Sequence, residues 1–378
     1  MKKLLLGALA LSMLASCSND DEGVISKKGD NLTFSCSYQN ALTRGSNGYC
    51  NNNKPQKFYV WGLVQSGADS FSEYFRDKEF STTDFLTWSP TGDPIQWAGG
   101  STGKNLFFAY TDEMEDLHYS GTLQGLYEIP SNVVDQKDLC FATFKGVRPT
   151  DGKVQLNFKH VLSLIEFNAK NASKYLHFEI KAVKVMNVKG GKGWIYFPTT
   201  TTESGYNSHT SSGAYGGYGD AYVSGFSLPN KSYEVVFDNL ISVAKNQTVD
   251  LTTSSSNEYN ANTMYLVPQS NLNTWDKTTD VTAVGGKPCI AVKLNIWNIS
   301  SGSTVDKSKD VLLYGDAAEG KWVYAPIPNA QWEMGKRYKY TITLDGSPIG
   351  NTGDEVLNLI HLDVAVDDYY EEFNNVVK

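Results

Sequence analysis

The sequence has little of what marks membrane-spanning, metal-binding or nucleic-acid-binding proteins. Beyond residue 14, no apolar run approaches the roughly 20 residues that a membrane-spanning helix needs. The five histidines are scattered and the five cysteines include no C-x-x-C pair, so we expect no metal site, no redox dithiol and no cofactor. The net charge of −8 argues against nucleic acid as a partner.

A catalytic constellation is also missing. Residues 99–103 match the G-x-S-x-G pattern of hydrolases, but a nucleophile elbow needs a helix directly after it. The residues that follow, NLFFAY, predict a strand instead. We therefore expect a protein that is not an enzyme.

The N-terminus has the parts of a bacterial export signal. Two lysines are followed by the apolar residues 4–14, which are too few to span a bilayer. The next residues, up to Cys17, resemble the lipobox of bacterial lipoproteins, and this implies cleavage before Cys17 and lipid chains on it. We expect residues 1–17 to be the signal peptide, residues 18–30 an acidic tether, and outer-membrane lipid a partner of Cys17.

Most of the remaining chain alternates polar and apolar residues with a period of two. Twenty-two tyrosines and eight tryptophans add to this β-rich composition. The pattern predicts two strands with a bend over residues 154–170, and one short helical stretch over residues 71–75. Many short strands separated by turns predict an all-β fold with two tandem β-sandwich domains.

A polar, turn-rich stretch at residues 146–153 is the expected domain boundary. It gives an N-terminal β-sandwich over residues 31–152 and a C-terminal β-sandwich over residues 153–378.

Once Cys17 is set apart, four cysteines remain: Cys36, Cys50, Cys140 and Cys289. Four cysteines are compatible with two disulfides or with buried thiols.

A segment rich in Gly, Ser and Tyr at residues 203–225 predicts a long surface loop. Aromatic faces can stack on sugars, and such rings are offered by the loop tyrosines Tyr206, Tyr215, Tyr218 and Tyr222 and by Trp88 and Trp97, which we expect to be exposed. An alternative function is therefore that of a surface lipoprotein that binds glycan, although tyrosine-rich loops also occur without ligands.

Three motifs, in a fixed order, resemble one known family. Residues 154–171 read VQLNFKHVLSLIEFNAKN and resemble its F-K-H-A-L-S-x-I-x-F stretch, and residues 41–45 resemble its T-R-A/G site. The C-terminal sequences YKYTITL and DVAVDDY resemble its Y-x-Y-x-x-x-L … V-x-V-D-D-W ending, with Tyr369 in place of Trp. The chain thus resembles the fimbrillin A/Mfa-like type V pilus proteins of the Bacteroidetes.

The resemblance implies two transthyretin-like, Greek-key β-sandwich domains made as a lipidated precursor. It also implies that an Arg-specific protease cuts between Arg44 and Gly45 at the cell surface. The first strand would then leave and a strand from another subunit would fill its place. The implied function is that of a structural or accessory subunit of a fimbrium, at its stalk, tip or anchor, which contributes to adhesion.

The first strand has the properties of such a plug. Leu32, Phe34, Cys36 and Tyr38 share one face, and burial of large apolar side chains stabilises by roughly 1.5–3 kcal/mol each. Its departure would expose an unpaired edge that can template another chain. A bridge between Cys36 and Cys50 would retain the plug after cleavage, which favours thiols.

A candidate donor strand lies near the C-terminus. Apolar residues occupy alternate positions there, interrupted only by Asn358: Val356, Ile360, Leu362, Val364 and Val366. The alternative is that these residues form only the last strand of the second domain, and the sequence leaves both interpretations open.

Overall fold

The computed structural model describes residues 31–38, 50–51, 54–65, 70–98, 103–174, 176–197, 206–207, 214–215, 217–218, 222–224, 228–252, 262–283, 285–299, 302, 304–345 and 360–368. Within these ranges the chain is all-β, and the only helical turn is the 3-10 turn Val133–Asp135. No helix in the same ranges is long and apolar enough to cross a membrane. The predicted fold class is therefore confirmed.

The strands are short and follow one another closely. In the first part of the chain they are Thr33–Tyr38 (β1), Cys50–Asn51 (β2), Lys54–Pro55 (β3), Lys57–Gln65 (β4), Ser72–Ser81 (β5), Ser89–Pro90 (β6), Lys104–Tyr110 (β7), Glu115–Tyr119 (β8), Leu123–Glu128 (β9), Cys140–Gly146 (β10), Lys153–His160 (β11) and Ser163–Asn171 (β12). In the second part they are Leu176–Gly190 (β13), Lys192–Tyr196 (β14), Tyr206–Asn207 (β15), Ala214–Tyr215 (β16), Gly217–Tyr218 (β17), Tyr222–Ser224 (β18), Leu228–Val243 (β19), Thr248–Asp250 (β20), Met264–Leu266 (β21), Gln269–Ser270 (β22), Cys289–Asn298 (β23), Val311–Tyr314 (β24), Lys321–Pro326 (β25), Gln331–Trp332 (β26), Lys336–Leu344 (β27) and Ile360–Asp368 (β28).

Four larger sheets are formed by the described strands. The first sheet has the order β1-β11-β10-β7-β4-β5-β6, and the fourth sheet has the order β16-β18-β14-β9-β8. The second sheet has the order β20-β12-β27-β28, with β21 also on β12; the third sheet has the order β19-β13-β23-β24, with β25 also on β23. Three further pairs, β2-β3, β15-β17 and β22-β26, are two-stranded.

The first sheet is covered on both faces, and β7 shows why its sequence does not alternate. Phe107 and Ala109 point into one apolar core, whereas Leu106, Phe108 and Tyr110 point into the other. A strand buried on both sides has no need of polar positions, so it is an unbroken apolar run.

Sheet-on-sheet packing forms the larger core. Phe167 of the second sheet stacks on Tyr340 at 5.8 Å, and both join a buried cluster with Ile180 and Leu294 of the third sheet. On the other side, Phe197 beside the fourth sheet packs on the first sheet and contacts the ring of Phe108. The predicted β-sandwich packing is therefore confirmed.

The bend predicted within residues 154–170 is confirmed, and it connects two sheets. β11 pairs with β10 in the first sheet, and β12 pairs with β27 in the second. The residues between them, Val161 and Leu162, are fully buried in the larger core. The division of the chain at residues 152 and 153 stays a prediction as a domain boundary, but that point lies between two hydrogen-bonded strands of the first sheet.

Two local predictions were wrong. Instead of the helix expected at residues 71–75, the strand β5 begins at Ser72 and pairs antiparallel with β4. Its Phe75 ring packs so closely on Gly62 that a Cβ on Gly62 would lie 2.4 Å from the ring. Cross-strand pairing outweighs the weak local helical pattern. The loop expected at residues 203–225 contains four short strands, β15 to β18.

Candidate functional site

The strand β1 lies along β11, and the two run parallel. Their register pairs Thr33 with Lys153 and continues without a shift to Tyr38 opposite Phe158. Because parallel strands cannot be joined by a tight hairpin, this neighbour comes from 120 positions later in the chain. The first strand is therefore held by a partner remote in sequence.

A second set of backbone hydrogen bonds holds the other side of β1. Phe34 and Trp88 exchange both of their backbone bonds at 3.0 Å, and the Leu32 N–H donates to the Ile95 carbonyl at 2.7 Å. Trp88 directly precedes β6, the last strand of the first sheet. Phe34 therefore joins the two ends of the first sheet, and β1 closes that sheet on itself.

The inward face of β1 lies within a dense aromatic core. Leu32 and Phe34 are fully buried, and Cys36 is 3% exposed. The Phe34 ring contacts Phe80 at a centroid distance of 4.7 Å and Phe107 at 5.5 Å, both edge-to-face. The backbone of Tyr38 is the last in the strand, and its side chain lies outside the described part of the chain. The predicted burial of the plug face thus holds for three of its four residues.

The outward face of β1 is polar and follows β11 side chain by side chain. The Ser35 hydroxyl donates to Gln155 Oε1 at 2.7 Å, and the Ser37 hydroxyl donates to Asn157 Oδ1 at 2.6 Å. These exposed bonds are worth little on their own, because water can replace them. The strand is therefore held mainly by its backbone bonds and its apolar face, neither of which requires a particular outward side chain.

The candidate donor residues lie in β28, at the edge of the second sheet. β28 pairs antiparallel with β27 from Leu344 opposite Ile360 to Lys336 opposite Asp368. Leu362 and Val364 pack against the larger core, whereas Val366 is 48% exposed. The side chain of Ile360 and all of Val356 lie outside the described residues, and a donor role stays a prediction.

The two tryptophans expected to be exposed are buried, so that expectation was wrong. Trp88 is 0% and Trp97 8% exposed, and the Trp88 indole N–H donates to the Pro55 carbonyl at 2.7 Å. Both belong to the stretch that flanks β1, and their rings fill the closed end of the first sheet.

The four tyrosines of the predicted ligand loop have their backbones in short strands. Tyr206 pairs with Tyr218, Tyr215 pairs with Val223, and Tyr222 pairs with Tyr196 of β14. Their side chains lie outside what the structure describes. Next to them on β14, Trp194 is partly exposed and contacts the His118 ring edge-to-face at 5.4 Å.

The processing residues Cys17, Arg44 and Gly45 also lie outside the described ranges. Of the other cysteines, Cys36, Cys140 and Cys289 are buried. Burial raises the pKa of the Cys289 thiol to about 12. That thiol is therefore protonated and inert at neutral pH.

Sequence reasoning missed one group of side chains. Asp138, Cys140 and His160 carry three kinds of metal-ligating atom, and these atoms all lie within 4.8 Å of one another. It is the only such group found among the described residues. The available signal was the pair Asp138 and Cys140 two positions apart at a strand start, but nothing in the sequence shows that His160 lies opposite Cys140.

Comparisons with known proteins found one matching family model and several similar solved structures. A family model described as fimbrillin-like matches residues 43–359. Similar solved structures include proposed cell adhesion proteins from Bacteroides uniformis (14% identity, TM-score 0.48, covering 91% of this chain and 99% of that one) and Bacteroides ovatus (14%, 0.45, 90% and 98%). A fimbrilin from Porphyromonas gingivalis is also similar (10%, 0.42, 90% and 97%). No curated protein matches the sequence.

Proposed function

The chain belongs to the fimbrillin-like family, and on that premise we propose that it is a cell-surface pilus subunit that contributes to adhesion. The observation that carries the proposal is β1, an N-terminal strand bonded on both sides and buried on one face, whose neighbours come from remote parts of the chain. Such a strand can be lost without breaking any other strand pairing in the first sheet.

Assembly would proceed by strand exchange. Cleavage between Arg44 and Gly45 separates β1 from the rest of the chain, and its departure leaves the edge of β11 unpaired and the pockets of Leu32, Phe34 and Cys36 open. An incoming strand with apolar residues at alternate positions gains backbone hydrogen bonds and side-chain burial together. β28, with Leu362 and Val364 on its inner face, is the donor we propose within this chain.

The lipid on Cys17 belongs to the precursor. It would hold the chain at the outer membrane until cleavage, and the lipid would then leave with the peptide that contains β1. A chain that is not cut at Arg44 would stay anchored and would suit the base of a pilus.

The structure supports selective cleavage at Arg44, since the other three arginines are poor protease sites. Arg148 precedes Pro149, and Arg337 is 6% exposed within β27. Arg76 lies inside β5, where it bonds to Glu73 at 2.7 Å and covers the Trp61 ring at 4.2 Å. Arg-specific proteases cut poorly before proline, and Arg76 and Arg337 lie within paired strands, so none of the three is a favourable cleavage site.

Treatment of the purified precursor with an Arg-specific protease should cut after Arg44 and produce SDS-resistant ladders. Cleavage removes the strand that closes the first sheet, so each subunit gains a slot that another subunit can fill. N-terminal sequencing identifies the cut, and gel electrophoresis without boiling detects the ladder. Arg44→Ala is the matched control and should stay monomeric. A clean cut at Arg44 that leaves only monomers would contradict assembly by strand exchange.

We also propose glycan binding as a second role, supported by the aromatic surface around β14. Trp194 is partly exposed beside His118, and Tyr196 of the same strand pairs with Tyr222 of the tyrosine-rich segment. Flat rings beside polar groups suit the faces of sugar rings. On a glycan array the protein should retain at least one polysaccharide, and Trp194→Ala should reduce that binding at least tenfold. Binding that Trp194→Ala leaves unchanged, or no binding at all, would remove this role.

A further inference from the structure

Three side chains from adjoining positions meet at one end of the first sheet. Cys140 begins β10 and His160 ends β11, and the two are direct cross-strand partners. Asp138 precedes Cys140 by two residues, so its side chain lies on the same side of the chain. His160 Nδ1 lies 2.7 Å from Asp138 Oδ2 and 3.2 Å from Cys140 Sγ.

The geometry also excludes one familiar use of these residue types. In a Cys-His-Asp triad the imidazole contacts the nucleophile through one nitrogen and the carboxylate through the other. Here a single nitrogen, Nδ1, faces both Cys140 and Asp138. The arrangement therefore does not suit nucleophilic catalysis. It does place three ligand atoms around one point, as a bound ion requires.

The three atoms match the preferences of zinc. Carboxylate oxygen, thiolate sulfur and imidazole nitrogen are all zinc ligands, with bonds of about 2.0–2.3 Å. A tetrahedral ion with such bonds places its ligand atoms about 3.3–3.8 Å apart. The distances from His160 Nδ1 to Asp138 Oδ2 and to Cys140 Sγ are within an ångström of that range, and the ligand atoms of Asp138 and Cys140 lie within 4.8 Å of each other. Small side-chain rotations would therefore admit the ion.

The charges of the three side chains and their access to solvent also favour a bound cation. Cys140 is 1% and His160 5% exposed, so charge at this place must be compensated. One carboxylate and one thiolate together neutralise a divalent cation. The side chain of Asp138 is 12% exposed and gives the ion a route from solvent, and a water can supply the fourth ligand.

We propose that Asp138, Cys140 and His160 bind one divalent ion of the zinc class, which ties β10 to β11. The Cys140 thiol loses its proton to solvent, the His160 proton moves from Nδ1 to Nε2, and the three ligand atoms then face the ion. The bound ion fixes β11, the strand on which β1 lies. The site depends only on these three residues, so its test does not depend on pilus assembly.

Titration of the chelator-treated full chain with Co²⁺ tests the site. We expect one equivalent to bind, with a thiolate-to-cobalt absorption band in the near ultraviolet and the visible bands of tetrahedral Co²⁺. Addition of Zn²⁺ should abolish both, because Zn²⁺ displaces Co²⁺. Cys140→Ser should remove the near-ultraviolet band, and Cys289→Ala, which alters a buried thiol of the third sheet, should leave it unchanged.

A second variant keeps the test decisive if Cys140→Ser does not fold. Asp138→Asn preserves the size of the side chain but removes a charged ligand, so it should weaken Zn²⁺ binding at least tenfold while the thiolate band persists at high Co²⁺. Absence of the band in the wild-type chain, or an identical band and affinity in both variants, would show that the three side chains form only a hydrogen-bonded cluster.

Discussion

Replacement of Phe34 by alanine should lower the free energy of unfolding by about 3–5 kcal/mol. The ring is fully buried and lies among Phe58, Phe80 and Phe107, none of which can move into the space without losing its own contacts. The neighbours of Phe34 lie close to the point where the sheet closes, so they also have little freedom to move into the cavity that the substitution leaves. The cost should therefore lie at the upper end for a large-to-small change in a core.

Ser35→Ala is the matched control, because it alters the same strand on its outward face. That variant loses the Ser35 hydroxyl bonds to Gln155 Oε1 at 2.7 Å and, more weakly, to the Val154 carbonyl at 3.4 Å, and it should cost less than about 1 kcal/mol. Urea titration followed by tryptophan fluorescence reports on this region, since Trp88 and Trp97 are in the same core. Equal losses in the two variants would mean that β1 is not anchored by its apolar face.

Alkaline solution should unfold the protein between about pH 10 and pH 12. Burial raises the pKa of four tyrosines in the cores, namely Tyr110, Tyr127, Tyr233 and Tyr340. The pKa of Tyr233 rises to about 12. Nearby carboxylates raise the pKa of Tyr110 and Tyr127 further. In the unfolded chain a tyrosine loses its proton near pH 10. The folded state must hold that proton to a higher pH, so the stability is complete below pH 10 and is lost as the pH rises toward the folded-state values.

The expected loss is about 1.4 kcal/mol per pH unit for each tyrosine, or roughly 6 kcal/mol for the four at pH 11. That is comparable with the whole stability of a typical domain. Denaturation followed by circular dichroism across this range measures the slope. Tyr233→Phe should make the slope shallower by about 1.4 kcal/mol per pH unit, and Tyr74→Phe, whose ring is 38% exposed, should change it less. A stability that is flat up to pH 11.5 would contradict the burial of these hydroxyls.

The sequence predicted the structure best where polar and apolar residues alternate along a single strand. The alternating residues 31–38 gave β1 and its buried face, and the bend in residues 154–170 gave the passage from β11 to β12. In both places a period of two directly reports which side chains face a core. The C-terminal alternation predicted β28 equally well, although alternation alone cannot tell which chain the strand will join.

What the sequence could not supply is the pairing between remote strands. β1 lies beside β11, 120 positions away, and that register decides which residues border the slot. The same holds for Cys140 and His160, which become neighbours only because β10 and β11 are in this register. Trp88 and Trp97 were misjudged for a related reason: their turn-rich surroundings indicate surface, but the segment folds back over the first strand.

The double pairing of β1 has a mechanical consequence. Its backbone bonds, six residues long on the β11 side, run across the strand, so a pull along the strand loads all of them in shear at once. A pull across the strand would break them one after another. A segment that replaces β1 in this slot would therefore resist tension along a fibre far better than its small number of contacts suggests, and a thin filament could withstand flow without covalent links between its subunits.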